Sequence, residues 1–237
     1  MRINKFLASA ELGSRRHVEQ FVLDGKISIN GQIIKDLAYD VKDDDVVKFN
    51  GKIVRAVSDK IYIMLNKPRC YITSLKDEKD RHVVTDLLKG VKQKVFPVGR
   101  LDYNTQGLLL LTNDGDYANN IIHPSKNICK TYEVKVKVVL TNKELNMIRR
   151  GMTVDGVKYL PAKIDYVYSE DEFNYYNITI FEGKNREIRH IFEELKVTIY
   201  ALTRLSIGAL ELGDLDEGKY KVLSEKEKDL VFKEKIC

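Results

Sequence analysis

Cysteine is scarce in this 237-residue chain. Cys70, Cys129 and Cys237 lie far apart and form no C-x-x-C pair. Any disulfide scheme would leave one unpaired, so a disulfide framework is not expected and a reducing, cytoplasmic setting fits best. Histidine is as thin: His17, His82, His123 and His190 are widely spaced, with no H-E-x-x-H. Neither a G-x-G-x-x-G nor a G-x-x-x-x-G-K-[ST] occurs, so the expectation is no metal and no nucleotide cofactor. Long apolar runs are missing too. None approaches a membrane span, and "FLASA" after Arg2 and Lys5 is too short for the apolar core of a signal peptide. Low-complexity tracts and clear internal repeats are also absent. No sign of charge dominates, since 40 Lys and Arg stand against 35 Asp and Glu for a net +5 and a pI near 8.9. That balance permits attraction to phosphate without requiring it.

What is present is enough apolar sequence, 43%, to bury a core in one or two domains. Residues 1–57 look like a unit. Ser14 can cap a helix running to about Asp24 with Gly25 as its stop, and "KISINGQII" reads as two short strands about an Asn30-Gly31 turn. Arg2, Lys5, Arg15, Arg16 and Lys26 gather at one end, while "DDD" at 43–45 sits in a turn, where it would repel misplaced phosphate. On composition alone the basic cluster is equally an ordinary solvated face.

From "KIYIMLNKP" onward strands predominate, at 61–65, 95–98, 108–112, 130–139, 162–168, 174–181 and 197–207, with helices near 116–122, 142–150, 185–195 and 225–234. Thr141 with Glu144, and Ser224 with Glu227, make two capping boxes, and Gly151 closes the 142 helix. Several strands alternate apolar residues with Lys. The class is therefore α+β, with a mainly antiparallel sheet open on one face.

Within this frame "GRLDYNTQGLLLLTNDGD", residues 99–116, sets Asp102 just ahead of a run with the length and composition of a buried strand. The stretch imitates the start of a calcium loop, but its twelfth position is Asn113 and leucines fill the middle, so calcium is rejected. On its own Asp102 is also an Asx-turn candidate. In "FEGKNREIRHIF" the apolar stripe Ile188, Ile191, Phe192 and Leu195 marks a helix beginning near Asn185. On that wheel Arg186 points away from the stripe and Arg189 lies at its boundary, within reach of a buried carboxylate, although both arginines could simply be solvated. Tyr132 in "KTYEVKVKV" shares the inward phase with Val134, Val136 and Val138, as a core tyrosine would. Leu202 in "ALTRLSIG" matches a core leucine by pattern.

Together, and in order, these motifs resemble the ribosomal small-subunit and large-subunit pseudouridine synthases, the RsuA/RluB-like family. "GRLDYNTQGLLLLTNDG" is similar to the family's catalytic-aspartate motif, "CKTYEV", "EGKNREIRHIF" and Leu202 to Gly208 follow, and "NKFLASAELGSRRHVEQFVLDGKISINGQ" resembles an S4 domain. His190, where a second Arg is common, and Tyr200 are mild departures.

The resemblance implies a small S4-like RNA-binding domain over 1–57 and a mixed, mainly antiparallel-sheet pseudouridine synthase catalytic domain over 58–237. It implies isomerisation of a specific uridine to pseudouridine in ribosomal RNA, with a lean toward a stem-loop of 23S rRNA. Alternatives are a 16S rRNA target, a tRNA, or an RNA-binding protein without catalysis. Asp102 is then the catalytic carboxylate, acting at C1′ or through a glycal route, as a carboxylate does beside a breaking glycosidic bond. Arg189 holds it, Tyr132 stacks on the base and helps remove the C5 proton, and Leu202 walls the pocket. Arg100 contacts RNA or fills the gap left by the target nucleotide. Lys184 and Arg186 join Arg2, Lys5, Arg15, Arg16 and Lys26 as RNA contacts. A cytoplasmic monomer with no membrane association, no cofactor and no metal completes the expectation.

Overall fold

The computed structural model describes residues 1–234, so Cys237 lies outside the described residues. The chain divides into Met1–Lys60 and a larger unit from Ile61 onward, beside the boundary at 57 read from the sequence.

The first unit opens with α1 (Ile3–Ser9), whose Ile3 and Leu7, four apart, are both fully buried. Then comes α2 (Arg15–Leu23), where Ser14 accepts a hydrogen bond from the His17 amide at 3.2 Å and Val18 and Val22 face the core. Strands β1 (Ile27–Ile29), β2 (Gln32–Ile33), β3 (Val47–Phe49) and β4 (Lys52–Ile53) form a small sheet in the order β2-β1-β3-β4. The β1-β2 turn rests on Asn30 and Gly31, both at positive φ, as a two-residue hairpin of this hand requires. The acidic turn has a structural role. Asp45 accepts from the Lys42 amide, the Asn30 side chain and the Tyr39 hydroxyl, so it pins the loop, and of the three aspartates only Asp43 and Asp44 are exposed.

The second unit contains β5 (Tyr62–Lys67), β6 (Phe96–Val98), β7 (Gln106–Thr112), α3 (Gly115–Ile122), β8 (Lys130–Val136), α4 (Asn142–Arg150), β9 (Met152–Val154) and β10 (Val157–Tyr159). It continues through β11 (Lys163–Glu170), β12 (Phe173–Ile180), α5 (Glu187–Glu194), β13 (Ala201–Ile207), β14 (Leu210–Glu211), β15 (Tyr220–Val222) and α6 (Glu225–Lys228). Both capping boxes form, at Thr141 with Glu144 and at Ser224 with Glu227. The last helix is shorter than expected and passes into a 3-10 turn over Asp229–Phe232. No helix among the described residues is long and apolar enough to cross a membrane.

The main sheet runs β11-β12-β8-β13-β7-β5-β15, with β14 on β13 and β6 on β7. Every pairing is antiparallel except β13 with β7, where Thr203 lies opposite Gln106 and Arg204 opposite Gly107. The leucine run is now accounted for. Leu109 and Leu111 pack on one face with Tyr132, Val134, Ile188, Ile191 and Phe192, while Leu108 and Leu110 pack on the other with Met64, Tyr117 and Ile121. The sheet therefore has no open face at its centre, contrary to the sequence expectation, because α3 covers the side that was expected to face water. On β8 the alternation is partial: Val134 and Val136 are buried, Lys135 between them is half-buried, and Lys137, just past the strand, is exposed.

Candidate active site

A cleft of about 160 Å³ opens where the loop ahead of β7 meets the start of α5 and the floor strands β8 and β13. Asp102 sits in that loop, half-buried, with its Oδ2 3.6 Å from Arg189 Nε. This is ion-pair distance, longer than a hydrogen bond. Arg189 Nη2 donates to the Asn104 carbonyl at 3.2 Å and to Thr105 Oγ1 at 3.1 Å, so one guanidinium grips both the carboxylate and the turn that carries it. Burial lowers the proton affinity of Arg189, and the Asp102 carboxylate opposes that shift.

The turn is held from beneath by a residue the sequence reading did not single out. Lys67, completely buried at the end of β5, donates to the carbonyls of Thr105 at 2.8 Å, Pro68 at 3.0 Å and Asp102 at 3.1 Å. Burial pulls its ammonium down to about 8, with Asp102 working the other way. Thr73 Oγ1 adds a bracket, donating to the Leu101 carbonyl and accepting from the Leu101 amide. Asp102 thus stands on a backbone fixed at its own carbonyl, at those of Asn104 and Thr105, and at both polar groups of Leu101. Such a carboxylate is preorganised.

Tyr132 and Leu202 line the cleft at 8% and 5% exposure. Arg204, opposite Tyr132 in the strand register, lies almost wholly buried beside them. Its Nε donates to the Leu108 carbonyl at 2.7 Å, and its Nη1 lies 3.4 Å from the Tyr132 hydroxyl. Arg100, Lys184 and Arg186 are exposed at the rim. Lys184 is already paired with Glu182 at 2.7 Å and Arg186 with Glu193 at 3.2 Å. The helix begins two residues later than the wheel assumed. Arg186 precedes it in a left-handed conformation, φ 51°, and so reaches the cleft edge from outside the helical geometry.

The family models match this architecture: RNA pseudouridylate synthase over residues 61–194 and S4 domain over residues 1–47. The chain belongs to the RNA pseudouridylate synthase family. The ribosomal large subunit pseudouridine synthase B of Bacillus subtilis is 37% identical over 228 residues, covering 95% of this chain and 93% of that protein. An RNA pseudouridine synthase of Aquifex aeolicus is 37% identical over 235 residues, covering 98% and 94%. A crystal structure of a pseudouridylate synthase superposes with a TM-score of 0.69 at 27% identity, covering 98% of this chain and 99% of that one.

In this pseudouridine synthase the described residues contain no group of three or more His, Cys, Asp or Glu placed to hold a metal ion. Lys67, Lys130, Glu187 and Arg204 are the site residues that the motif reading passed over. Three of them carried a signal, Lys130 by sharing the phase of Tyr132, two residues on. Arg204 shares the inward phase of Leu202, two residues on, and Glu187 falls on the stripe of Ile191, four residues back. In the first unit, Arg15 and Arg16 open α2 and are exposed. Arg2 is tied to the Ala38 carbonyl and to Asp40, and Lys26 pairs with Asp24 at 2.9 Å.

Proposed function

We propose that this synthase converts a uridine of large-subunit ribosomal RNA to pseudouridine, with Asp102 as the catalytic carboxylate. The observation that carries the assignment of Asp102 is its ion pair with Arg189 inside a cleft lined by Tyr132 and Leu202. The choice of RNA rests on the likeness, along nearly the whole chain, to a large-subunit synthase. Breaking a glycosidic bond develops positive charge at the sugar, which a held carboxylate stabilises or captures. Arg189 keeps Asp102 aimed. Tyr132 stacks on the base and assists departure of the C5 proton, and Leu202 closes the wall behind it. The target base must leave its stack, at roughly a few kcal/mol. Attraction to phosphate offsets that, from Arg100, Lys184 and Arg186 at the rim and from Arg2, Lys5, Arg15, Arg16 and Lys26 in the S4 domain.

The test has two parts. Chemical mapping of pseudouridine in the ribosomal RNA of a deletion strain should show a large-subunit position lost, and a missing small-subunit position would redirect the assignment. Asp102→Asn, which removes a charge but almost no volume, should abolish pseudouridine formation while leaving folding and RNA affinity nearly unchanged. Turnover within tenfold of wild type would remove Asp102 from the chemistry.

A further inference from the structure

The cleft holds positive charge that the Asp102 turn does not use. Lys67 is satisfied by three carbonyls, and Arg189, although its buried Nε makes no hydrogen bond, is committed to the turn and to the Asp102 carboxylate. Lys130 and Arg204 are different. Arg204 is 4% exposed, its two hydrogen bonds go to neutral oxygens, and its buried Nη2 has no hydrogen-bond partner among the described residues. Lys130 donates from Nζ to the neutral Glu182 carbonyl at 3.1 Å and lines the same cleft. It stands two residues from Tyr132 on β8, so both side chains leave the same face, and Arg204 faces Tyr132 from β13. Burial disfavours the Lys130 ammonium, and the Arg204 charge disfavours it further. Glu187 is the carboxylate that acts on Lys130, and its own burial holds it largely protonated up to about pH 7, so two cations kept together in this shielded place are an unfavourable arrangement unless an anion arrives.

We propose that Lys130 and Arg204 stabilise the uracil ring as an anion while it is detached from the ribose. This rests on the reading of the cleft as the base pocket. The N1–C1′ bond breaks with both electrons remaining on the base. The deficit at the sugar is met by a bond to the Asp102 carboxylate or by loss of the C2′ proton. C5 then bonds to C1′ as the bond to Asp102 breaks, or as the proton returns to C2′; the C5 proton departs and N1 takes up a proton, which restores the ring. On either route the base carries negative charge spread over N1, O2 and O4 in the interval. A fixed positive field in a shielded site lowers the barrier to forming that charge. A backbone phosphate is the less fitting anion, because the exposed cations Arg100, Lys184 and Arg186 occupy the rim while Lys130 and Arg204 lie among the residues that wall the base.

Fluorine at C5 makes the departing ring a weaker base, so it needs less help to leave. The test measures single-turnover loss of the N1-linked nucleoside in a target transcript carrying either uridine or 5-fluorouridine. Arg204→Met and Lys130→Met should each slow the uridine substrate by roughly 10²-fold or more, the scale of losing one preorganised charge-stabilising group. Both should slow the 5-fluorouridine substrate far less, and Arg204→Lys should recover part of the loss. Equal slowing of the two substrates, or none, would overturn the proposal, since a structural or RNA-binding defect does not depend on the leaving group. Lys130→Met, whose side chain makes one hydrogen bond, decides the matter by itself if Arg204→Met is unstable. If Asp102→Asn turns over both substrates normally, the reading of the cleft fails instead, whatever the two cations do.

Discussion

Glu187 opens α5 and is 3% exposed, with Oε2 accepting from the Lys184 amide at 2.9 Å. Burial pushes its carboxyl up from an ordinary 4.5 to about 7; nearby Glu182 adds to the rise, and the Lys184 and Gly183 amides pull back. Because the folded protein holds this proton more tightly than the unfolded chain, the contribution to stability is complete below about pH 4.5 and is lost as pH rises through 7. At ~1.4 kcal/mol for each pH unit between the two values, the full loss is about 3 kcal/mol. Glu187→Gln keeps an acceptor for the Lys184 amide and cannot ionise. The variant should therefore match wild type near pH 4.5, gain steadily above that, and be more stable by about 3 kcal/mol from pH 8 upward. Urea unfolding of both proteins at a series of pH values reads this directly. A difference that stays flat across the series would refute the reasoning, since an ordinary surface carboxyl would give that result.

Arg189→Met should damage the chemical step in single turnover more than Arg186→Met, because only Arg189 reaches Asp102; equal losses confined to RNA affinity would mean that both merely touch phosphate. Gly107→Ala should destabilise by roughly 1–3 kcal/mol or more in thermal unfolding, since Gly107 has φ +102° and an added Cβ would lie 2.3 Å from the Arg204 carbonyl oxygen; an unchanged melting temperature would contradict it. Removing Met1–Lys60 should weaken RNA binding and flatten its salt dependence, by roughly 0.7–0.9 in log-log slope for each phosphate that the shorter protein no longer neutralises. A truncated protein with the full affinity and the same slope would show that the S4 domain is not a phosphate grip.

Where local rules decide the structure, the sequence was readable. Ser14, Thr141 and Ser224 cap the helices they were expected to cap, and the Asn30-Gly31 turn joins the strands it was expected to join, because each depends on neighbours three or fewer residues away. The α1 helix was missed, since Arg2 offers no side-chain cap and the apolar letters are few. The double burial of β7 was missed because it depends on α3, which no periodicity within β7 could reveal. The Asp102 and Arg189 pairing was foreseeable from helical phase on one side and motif resemblance on the other. Lys67 was harder to see. A lysine closing the apolar run "YIMLN" before Pro68 reads as a strand end, and only the assembled turn supplies the three carbonyls that hold it.

The lone parallel pairing, between β7 and β13, has a consequence for the protein's birth. Asp102 belongs to the first half of the chain, yet the strand that brings Leu202 and Arg204 to it comes near the end, and a parallel partner cannot be reached through a tight turn. Pairings so distant along the chain form slowly and late. The S4 domain, whose core and four-stranded sheet are built from residues before Lys60, can close while the rest is still being synthesised. A newborn molecule therefore passes through a stage with its N-terminal domain folded and the Asp102 carboxylate still without Leu202 and Arg204 beside it, and the cleft is complete only when nearly the last strand arrives.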